Sequence, residues 1–417
     1  MKRLSILLLT GLAASAVSAQ APPLTWEDCV SLAAIQNPTL VASEYAAAAS
    51  RASYYGSYNG LLPQLSVSHS YGDSRGAGGN TRWSTQAGLS LNLWSPSQLA
   101  NIRSAAASLG SAEASLRQAS AALRFDLRRA FAQVLLSQES VGVSRKIRDI
   151  RENGARMVQL RYESGRESKG NMLKTRAQLL QAEADLAQSL RDLRTNRMSL
   201  FQKLGFDGYQ ALSATGTLVT GPAPAMELEL ADSVAGRTDV AVQEAAVRSA
   251  EAGVRKSRSS LYPTWSASYS RSWAERTEFP RANPNWSLSS VVSLPLFGGG
   301  PTATYYSVEA SKRQLEQAKE TLRAARSAAL AELESARSDF AGAVDQVQVQ
   351  EALLEAVRQQ NDEADVRYAS GLLTFDNWEL ILGARVSTER QSIQARFNAA
   401  AAEAAWHKAN GKILGEL

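Results

Sequence analysis

The sequence contains few of the side chains that carry most enzyme and metal chemistry. Its 417 residues include one cysteine and two histidines. The single cysteine, Cys29, excludes an intrachain disulfide, and we interpret it as a small buried apolar residue on a helix. The histidines, His69 and His407, lie in different regions and cannot build a histidine-based triad or a histidine-rich metal site. We therefore expect no enzymatic activity, no cofactor and no bound metal.

A surplus of one charge is also absent. The chain has 45 Lys and Arg residues against 40 Asp and Glu residues, a formal net charge of +5. Basic and acidic residues alternate along the helical patterns, as is typical of solvated helix faces. The basic patch of a nucleic-acid-binding protein is missing, so we expect no nucleic-acid partner.

Long apolar runs are missing beyond the first residues. Lys2 and Arg3 precede an apolar stretch over Leu4–Val17, and Val17–Ala19 is a small-residue cleavage site. This layout is typical of a secretory signal peptide, so residues 1–19 are predicted to be removed. A membrane anchor is the alternative, but a spanning helix needs about 20 apolar residues, and this run is shorter and ends in a cleavage site.

The chain contains an internal duplication. Leu62-Pro63 returns as Tyr262-Pro263 at an offset of 200, and the Arg-Tyr-x-Ser-Gly motif at 161–165 returns at 367–371 at an offset of 206. We predict a first structural repeat over residues 20–220 and a second over 221–417. Each repeat is predicted to run helix, two strands, long helix, tight turn and helix.

The helical patterns predict a long coiled-coil bundle. Apolar residues recur every seven positions within two long helices, which indicates coiled-coil packing. Each long helix matches the summed length of two shorter ones, so we expect two short helices to stack end to end beside it. The predicted long helices are 97–163 and 301–368, and the shorter ones are 26–58, 170–204, 232–259 and 376–411.

The four predicted strands alternate apolar residues with serine-rich positions. They cover residues 63–72, 83–95, 263–273 and 286–297. Strands of about 10 residues with this alternation are typical of a transmembrane β-barrel. Because four strands cannot close a barrel, it must be shared, with 8 strands from two copies or 12 from three. A soluble sandwich with one wet face is the alternative, but the helices offer no wide apolar face to cover the strands.

The order of the motifs resembles the TolC-type outer-membrane efflux proteins, also called outer membrane factors. The motifs are Leu24-Thr25-Trp26-Glu27-Asp28, Asn37-Pro38-Thr39-Leu40, Arg237-Thr238-Asp239-Val240 and the paired Arg-Tyr-x-Ser-Gly turns. The resemblance covers essentially the whole mature chain. It implies a homotrimer in outer-membrane lipid, with a 12-stranded barrel and an α-helical tunnel that extends into the periplasm of a Gram-negative cell.

The resemblance also implies a function. The chain would be the passive duct of a tripartite efflux or type I secretion system. Its partners would be a periplasmic adaptor (membrane fusion protein) and an inner-membrane transporter of the RND, ABC or MFS type. The alternative function is that of a periplasmic adaptor or a structural coiled-coil protein.

Candidate site residues follow from the family's pattern, in which the tight turns lie at the periplasmic tip and the tunnel closes there. By position, Ser164, Gly165, Ser370 and Gly371 would form adaptor-docking turns, although glycine is also the usual residue after a helix. The residues that would hold the closed aperture are Arg161, Tyr162, Arg367 and Tyr368. Where carboxylates narrow the pore in the best-known pattern, this sequence has Asn171 and Asn377, with Asp376 and Glu379 nearby as candidate substitutes.

Overall fold

The computed structural model describes most of the chain. The described residues are 23–73, 82–206, 208, 213–216, 218, 221–222, 234, 236–275, 279, 284–294 and 300–415. The predicted signal peptide lies outside them. No helix among these residues combines the length and the apolar character needed to cross a membrane.

The first repeat begins with two helices. The structure divides the helix predicted over 26–58 into α1 (Trp26–Gln36) and α2 (Pro38–Gly56), followed by a 3₁₀ turn, Ser57–Leu61. The cause is local, because the residue before a proline is pushed out of the helical region. Asn37 accordingly adopts an extended conformation, and its side chain caps α2 by accepting from Thr39 N–H and Leu40 N–H, both at 3.0 Å.

The rest of the first repeat is a strand pair and a long helical hairpin. Strands β1 (Gln64–Gly72) and β2 (Arg82–Trp94) lead into α3 (Pro96–Glu163), and α4 (Lys169–Leu204) returns alongside it. With 68 residues, α3 is roughly 100 Å long.

The second repeat has the same element order. Its elements are α5 (Thr238–Ser259), β3 (Thr264–Glu275), β4 (Asn285–Ser293), α6 (Pro301–Ala369) and α7 (Phe375–Ala409). Strand β4 ends earlier than the predicted residue 297, and positions 295–299 lie outside the described residues. The division of the chain at residue 220 remains a prediction.

The four strands form one antiparallel sheet in the order β1-β2-β3-β4. Its register places Leu65 opposite Leu89, Leu89 opposite Tyr269, and Tyr269 opposite Leu288. One face therefore carries an apolar row across all four strands. Both edge strands, β1 and β4, are exposed at every position, so no described part of the chain covers them.

The helices pack side by side in one layer, and the sheet lies at the end of this layer where α3 and α6 begin. Both α2 and α4 pack against α3, whereas α5 and α7 both pack against α3 and α6. Two short helices thus share one long neighbour, which is the predicted end-to-end stacking.

The two repeats close at equivalent points in the middle of the helical layer. The Asn37 side chain donates to the Lys203 carbonyl at 2.8 Å, which ties the start of α2 to the end of α4. Arg237 does the same in the second repeat by donating to the Ala409 carbonyl at 3.0 Å. Arg237 is almost fully buried, and its charge is balanced by Asp239 at 2.8 Å and by Glu332.

Candidate functional site at the helical hairpin ends

The two hairpin turns have the same backbone. In the first, Gly165 has φ 73° and the Arg166 N–H donates to the Arg161 carbonyl at 2.8 Å. In the second, Gly371 has φ 80° and the Leu372 N–H donates to the Arg367 carbonyl, also at 2.8 Å. This is the Schellman closure of a helix, in which glycine takes the left-handed conformation without steric cost.

Tyr368 is the centre of the second turn's packing. It is fully buried, and its ring stacks on Trp378 with centroids 4.8 Å apart and planes 14° apart. Val158 of α3 and Phe375 and Leu382 of α7 belong to the same buried cluster. The cluster therefore joins the end of the first hairpin to the second.

Arg161 of the first hairpin holds Tyr368 from the other side. Its Nη1 donates to the Tyr368 carbonyl at 2.7 Å, and its guanidinium carbon lies 4.6 Å from the centre of the Tyr368 ring. A charged hydrogen bond and a cation–π contact thus act on one residue.

Glu167 completes this cluster on the loop of the first hairpin. Tyr368 Oη donates to Glu167 Oε2 at 2.8 Å, and Asn171 Nδ2 donates to Glu167 Oε1 at 2.8 Å. Burial acts to raise the pKa of Glu167, but the hydrogen bonds from Asn171, the Ser168 N–H and Tyr368, together with Arg161, hold that pKa below its ordinary value. Burial, followed by the hydrogen bond to Glu167, raises the pKa of Tyr368 well above its ordinary range, so its hydroxyl stays a donor.

A second polar cluster lies on the same hairpins, further from the turns and nearer the sheet. Arg151 of α3 pairs with Glu379 of α7 at 3.2 Å, and both side chains are only 13% exposed. Gln178 of α4 donates to the same carboxylate at 2.6 Å. Three helices therefore share one ion pair.

The remaining candidate residues lie on the surface of the single chain. Tyr162 is 36% exposed, and Arg367, Asp376 and Asn377 are exposed. Ser164 and Ser370 are also exposed and bond back to their own helices, at the carbonyls of Arg161 and Val366. Of the eight predicted aperture residues, the structure brings Arg161, Tyr368 and Asn171 together around Glu167 and places Glu379 in the second cluster.

Several residues of these clusters were not predicted from the sequence. Glu167, Trp378, Arg151 and Gln178 all make central contacts, and Trp378 Nε1 also donates to Asp365 at 2.6 Å. A signal was available for Trp378, because tryptophan side chains are highly buried on average. The Arg151–Glu379 pair is separated by 228 residues and leaves no local pattern.

The chain matches one protein family along most of its length. The model of the family described as "Outer membrane efflux protein" matches residues 29–206 and 230–412. The chain belongs to the outer membrane efflux protein family. Membership confirms the predicted resemblance and the predicted outer-membrane location.

One curated relative is the pyoverdine export outer membrane protein OpmQ of Pseudomonas aeruginosa. It is 27% identical over 314 residues, which are 70% of this chain and 62% of the relative. The match thus spans less than two thirds of that relative's length.

Solved structures of outer-membrane channels share the fold. The outer membrane protein VceC of Vibrio cholerae has a TM-score of 0.78 at 15% identity, over 93% of this chain and 96% of its own. The MtrE outer membrane channel of Neisseria gonorrhoeae, solved in its open state, has a TM-score of 0.80 at 17% identity, over 92% and 88%. These likenesses confirm the predicted mainly helical fold with a small β part.

Proposed function

We propose that this protein is the outer-membrane duct of a tripartite efflux or type I secretion system, and that it conducts cargo passively. The single observation that carries the proposal is the sheet. A four-stranded sheet with two open edges is not stable within lipid, because the unpaired backbone groups of its edges have no water to bond there. Copies of the chain that join edge to edge pair these backbone groups.

Three copies close the sheet into a 12-stranded barrel. In each copy the β1 edge lies on the side of α2 and α4, and the β4 edge lies on the side of α6. Both sides expose large apolar side chains, which an interface between copies would bury. They include Tyr45, Leu180 and Leu190 on one side and Val349, Leu353 and Val366 on the other.

The hairpin ends form the periplasmic gate in this proposal. Arg161, Glu167 and Tyr368 hold the first hairpin against the second, and Arg151 with Glu379 adds a second tie. Opening requires the hairpins to separate, so these contacts stabilise the closed state. The exposed Tyr162, Arg367, Asp376 and Asn377 face the neighbouring copies or the pore.

The exposed loops of the two turns are the docking surface for a periplasmic adaptor. Ser164, Gly165, Ser370 and Gly371 form their tips, and Leu372 projects from the second with 74% of its surface exposed. The adaptor links the duct to an inner-membrane pump of the RND, ABC or MFS type, and the pump selects the cargo. OpmQ is described by its name as exporting pyoverdine, which is consistent with such a role.

Conductance in planar bilayers tests the duct. Wild-type protein should insert as a pore of low resting conductance, because the gate is closed. Glu379→Gln should raise the resting conductance, because it removes the negative charge that pairs with the largely buried Arg151. The matched control is Glu152→Gln, which removes a half-exposed carboxylate that pairs with Arg148 and Arg156 on its own helix and should have little effect. Protein that never forms pores would contradict the proposal.

A further inference from the structure

A basic cavity lies half-way along the helical layer, far from the hairpin ends. It has a volume of about 110 Å³ and lies where the start of α1, the middle of α3 and the end of α7 meet. Four cationic side chains line it: Arg124, Arg128, Lys408 and Lys412. The space is large enough for a small anionic group with some of its water.

Aromatic rings hold two of the cations in place. The guanidinium carbon of Arg128 lies 5.1 Å from the centre of the Trp26 ring, and Lys408 Nζ lies 5.0 Å from that of Phe125. Both are cation–π contacts, which favour a charged group over a ring face. Arg124 is fixed as well, because its Nη1 donates to the carbonyl of residue 413 at 3.1 Å.

The described lining of the cavity has an excess of positive charge. Among the residues that the structure describes, no carboxylate lines it, and the nearby Glu403 pairs with Arg128 at 3.4 Å while also accepting from the Gly221 N–H at 3.2 Å. Within this described part of the chain, one acid lies beside four cations in a half-buried site. Clustered cations repel one another there, and an anion that enters is attracted by all of them.

His407 adds an uncharged polar group. It lines the cavity, and its Nδ1 is shielded from solvent without a hydrogen-bond partner among the described residues. Burial is the largest cause that lowers the pKa of His407, and Lys412, Arg124 and Arg128 act in the same direction against Glu403. A neutral imidazole can donate one N–H to an anion's oxygen.

The duplication supplies an internal control for this cluster. The equivalent positions of the other repeat, 206 residues away, are not basic. They are Leu330 for Arg124, Glu334 for Arg128, Phe201 for His407, Gln202 for Lys408 and Phe206 for Lys412. The fold therefore forms without such a cluster. The dipole of α7 favours His407 and Lys408 in its last turn, but it does not explain the two arginines from α3.

We propose that this cavity is a binding site for an oxyanion group, a carboxylate or a phosphate. Arg124 is 28 residues below the start of α3, or about 42 Å at 1.5 Å per residue. A lipid headgroup cannot reach the cavity at that distance from the sheet. This exclusion rests on the proposed function, which places the sheet in the membrane. The sources that remain are dissolved phosphate and the carboxylates of cell-wall peptides.

Equilibrium dialysis of the detergent-solubilised full chain tests the site. The probes are inorganic phosphate, acetate and a soluble muropeptide, all at one ionic strength. We expect saturable binding of one anion per chain. Tightest binding of phosphate would identify the dissolved anion as the source, whereas a muropeptide that binds much more tightly than acetate would identify the cell-wall carboxylate.

Variants separate this site from general charge effects. Lys408→Gln with Lys412→Gln should weaken binding at least tenfold. The control, Lys312→Gln with Lys319→Gln, removes the same charge from two exposed ion pairs of α6 and should stay within twofold. If the first pair fails to assemble, Lys412→Gln alone carries the test. Absence of saturable binding for all three probes, or equal weakening in the control, would overturn the proposal, and conductance of the same preparations reports the duct independently.

Discussion

The first hairpin turn, residues 161–169, and the second, residues 367–375, start from the same five-residue motif and reach the same backbone geometry. Their surroundings differ completely. Tyr368 of the second turn is fully buried, whereas its counterpart Tyr162 is 36% exposed. The arginines show the reverse, because Arg161 contacts Tyr368 while Arg367 is exposed.

The difference shows that a duplicated motif can keep its local role and divide its tertiary roles. The glycine closure depends only on backbone conformation, so both turns retain it. The tyrosine and the arginine depend on what packs beside them. The first turn supplies the arginine and the second supplies the tyrosine, and together they make one contact between hairpins.

Substitution of the tyrosines should separate the turns most strongly. Tyr368→Ala removes a buried aromatic side chain and should cost about 3–5 kcal/mol, with a clear rise in resting conductance. Tyr162→Ala should change stability by about 0.5 kcal/mol or less, because it removes a surface contact. Thermal unfolding and bilayer conductance of the two variants would measure the contrast. Equal effects of the two substitutions would contradict this contrast between the turns.

For the arginines, substitution in the first turn should cost more stability than substitution in the second, and both losses should be smaller than that of Tyr368→Ala. Arg161→Ala removes a charged hydrogen bond and a cation–π contact, and should cost about 1–3 kcal/mol. Arg367→Ala removes an exposed side chain and should be close to neutral in the single chain. A double-mutant cycle of Arg161→Ala with Tyr368→Ala should return a coupling energy of about 1 kcal/mol or more. Additive effects would mean that the two residues do not act together.

The glycines should respond equally. Each has a positive φ, and a Cβ at Gly165 or Gly371 would meet nothing within 4 Å. Gly165→Ala and Gly371→Ala should therefore each cost about 1–2 kcal/mol from the left-handed conformation alone. Chemical denaturation of the two variants compares them directly. A large difference would show that the turns are not the same structure.

The pH dependence should be the smallest effect, and it should come from the first turn. The pKa of Glu167 is lowered in the folded protein. Its contribution is therefore present above the unfolded pKa of about 4.3 and is lost as pH falls through the lowered folded value. Resting conductance should be flat from about pH 7 to 5 and rise only in the acid range. Glu167→Gln should remove that rise, and a rise near neutral pH would contradict the assignment.

Much of the fold was predictable because its signals are local. Seven-residue spacing, strand alternation and the paired turn motifs each lie within short windows, so element types and order follow from the sequence. The break at Asn37 was also readable from Pro38, although the helix was predicted through it. The candidate site was predictable only in part, since Arg161 and Tyr368 lie in the repeated motif but Glu167 and Trp378 do not.

The pairings across the chain could not be predicted. Arg151 and Glu379 meet only because α3 and α7 pack side by side, and their equivalents in the other repeat, Val357 and Leu173, are apolar. A repeat therefore predicts shared backbone features better than it predicts contacts between repeats.

The mass of the detergent-solubilised protein, with the detergent subtracted, shows whether each chain supplies four strands to a shared duct. We expect three chains in each particle, with detergent required for solubility. A water-soluble single chain would contradict this expectation, because the open sheet edges would then persist without a partner.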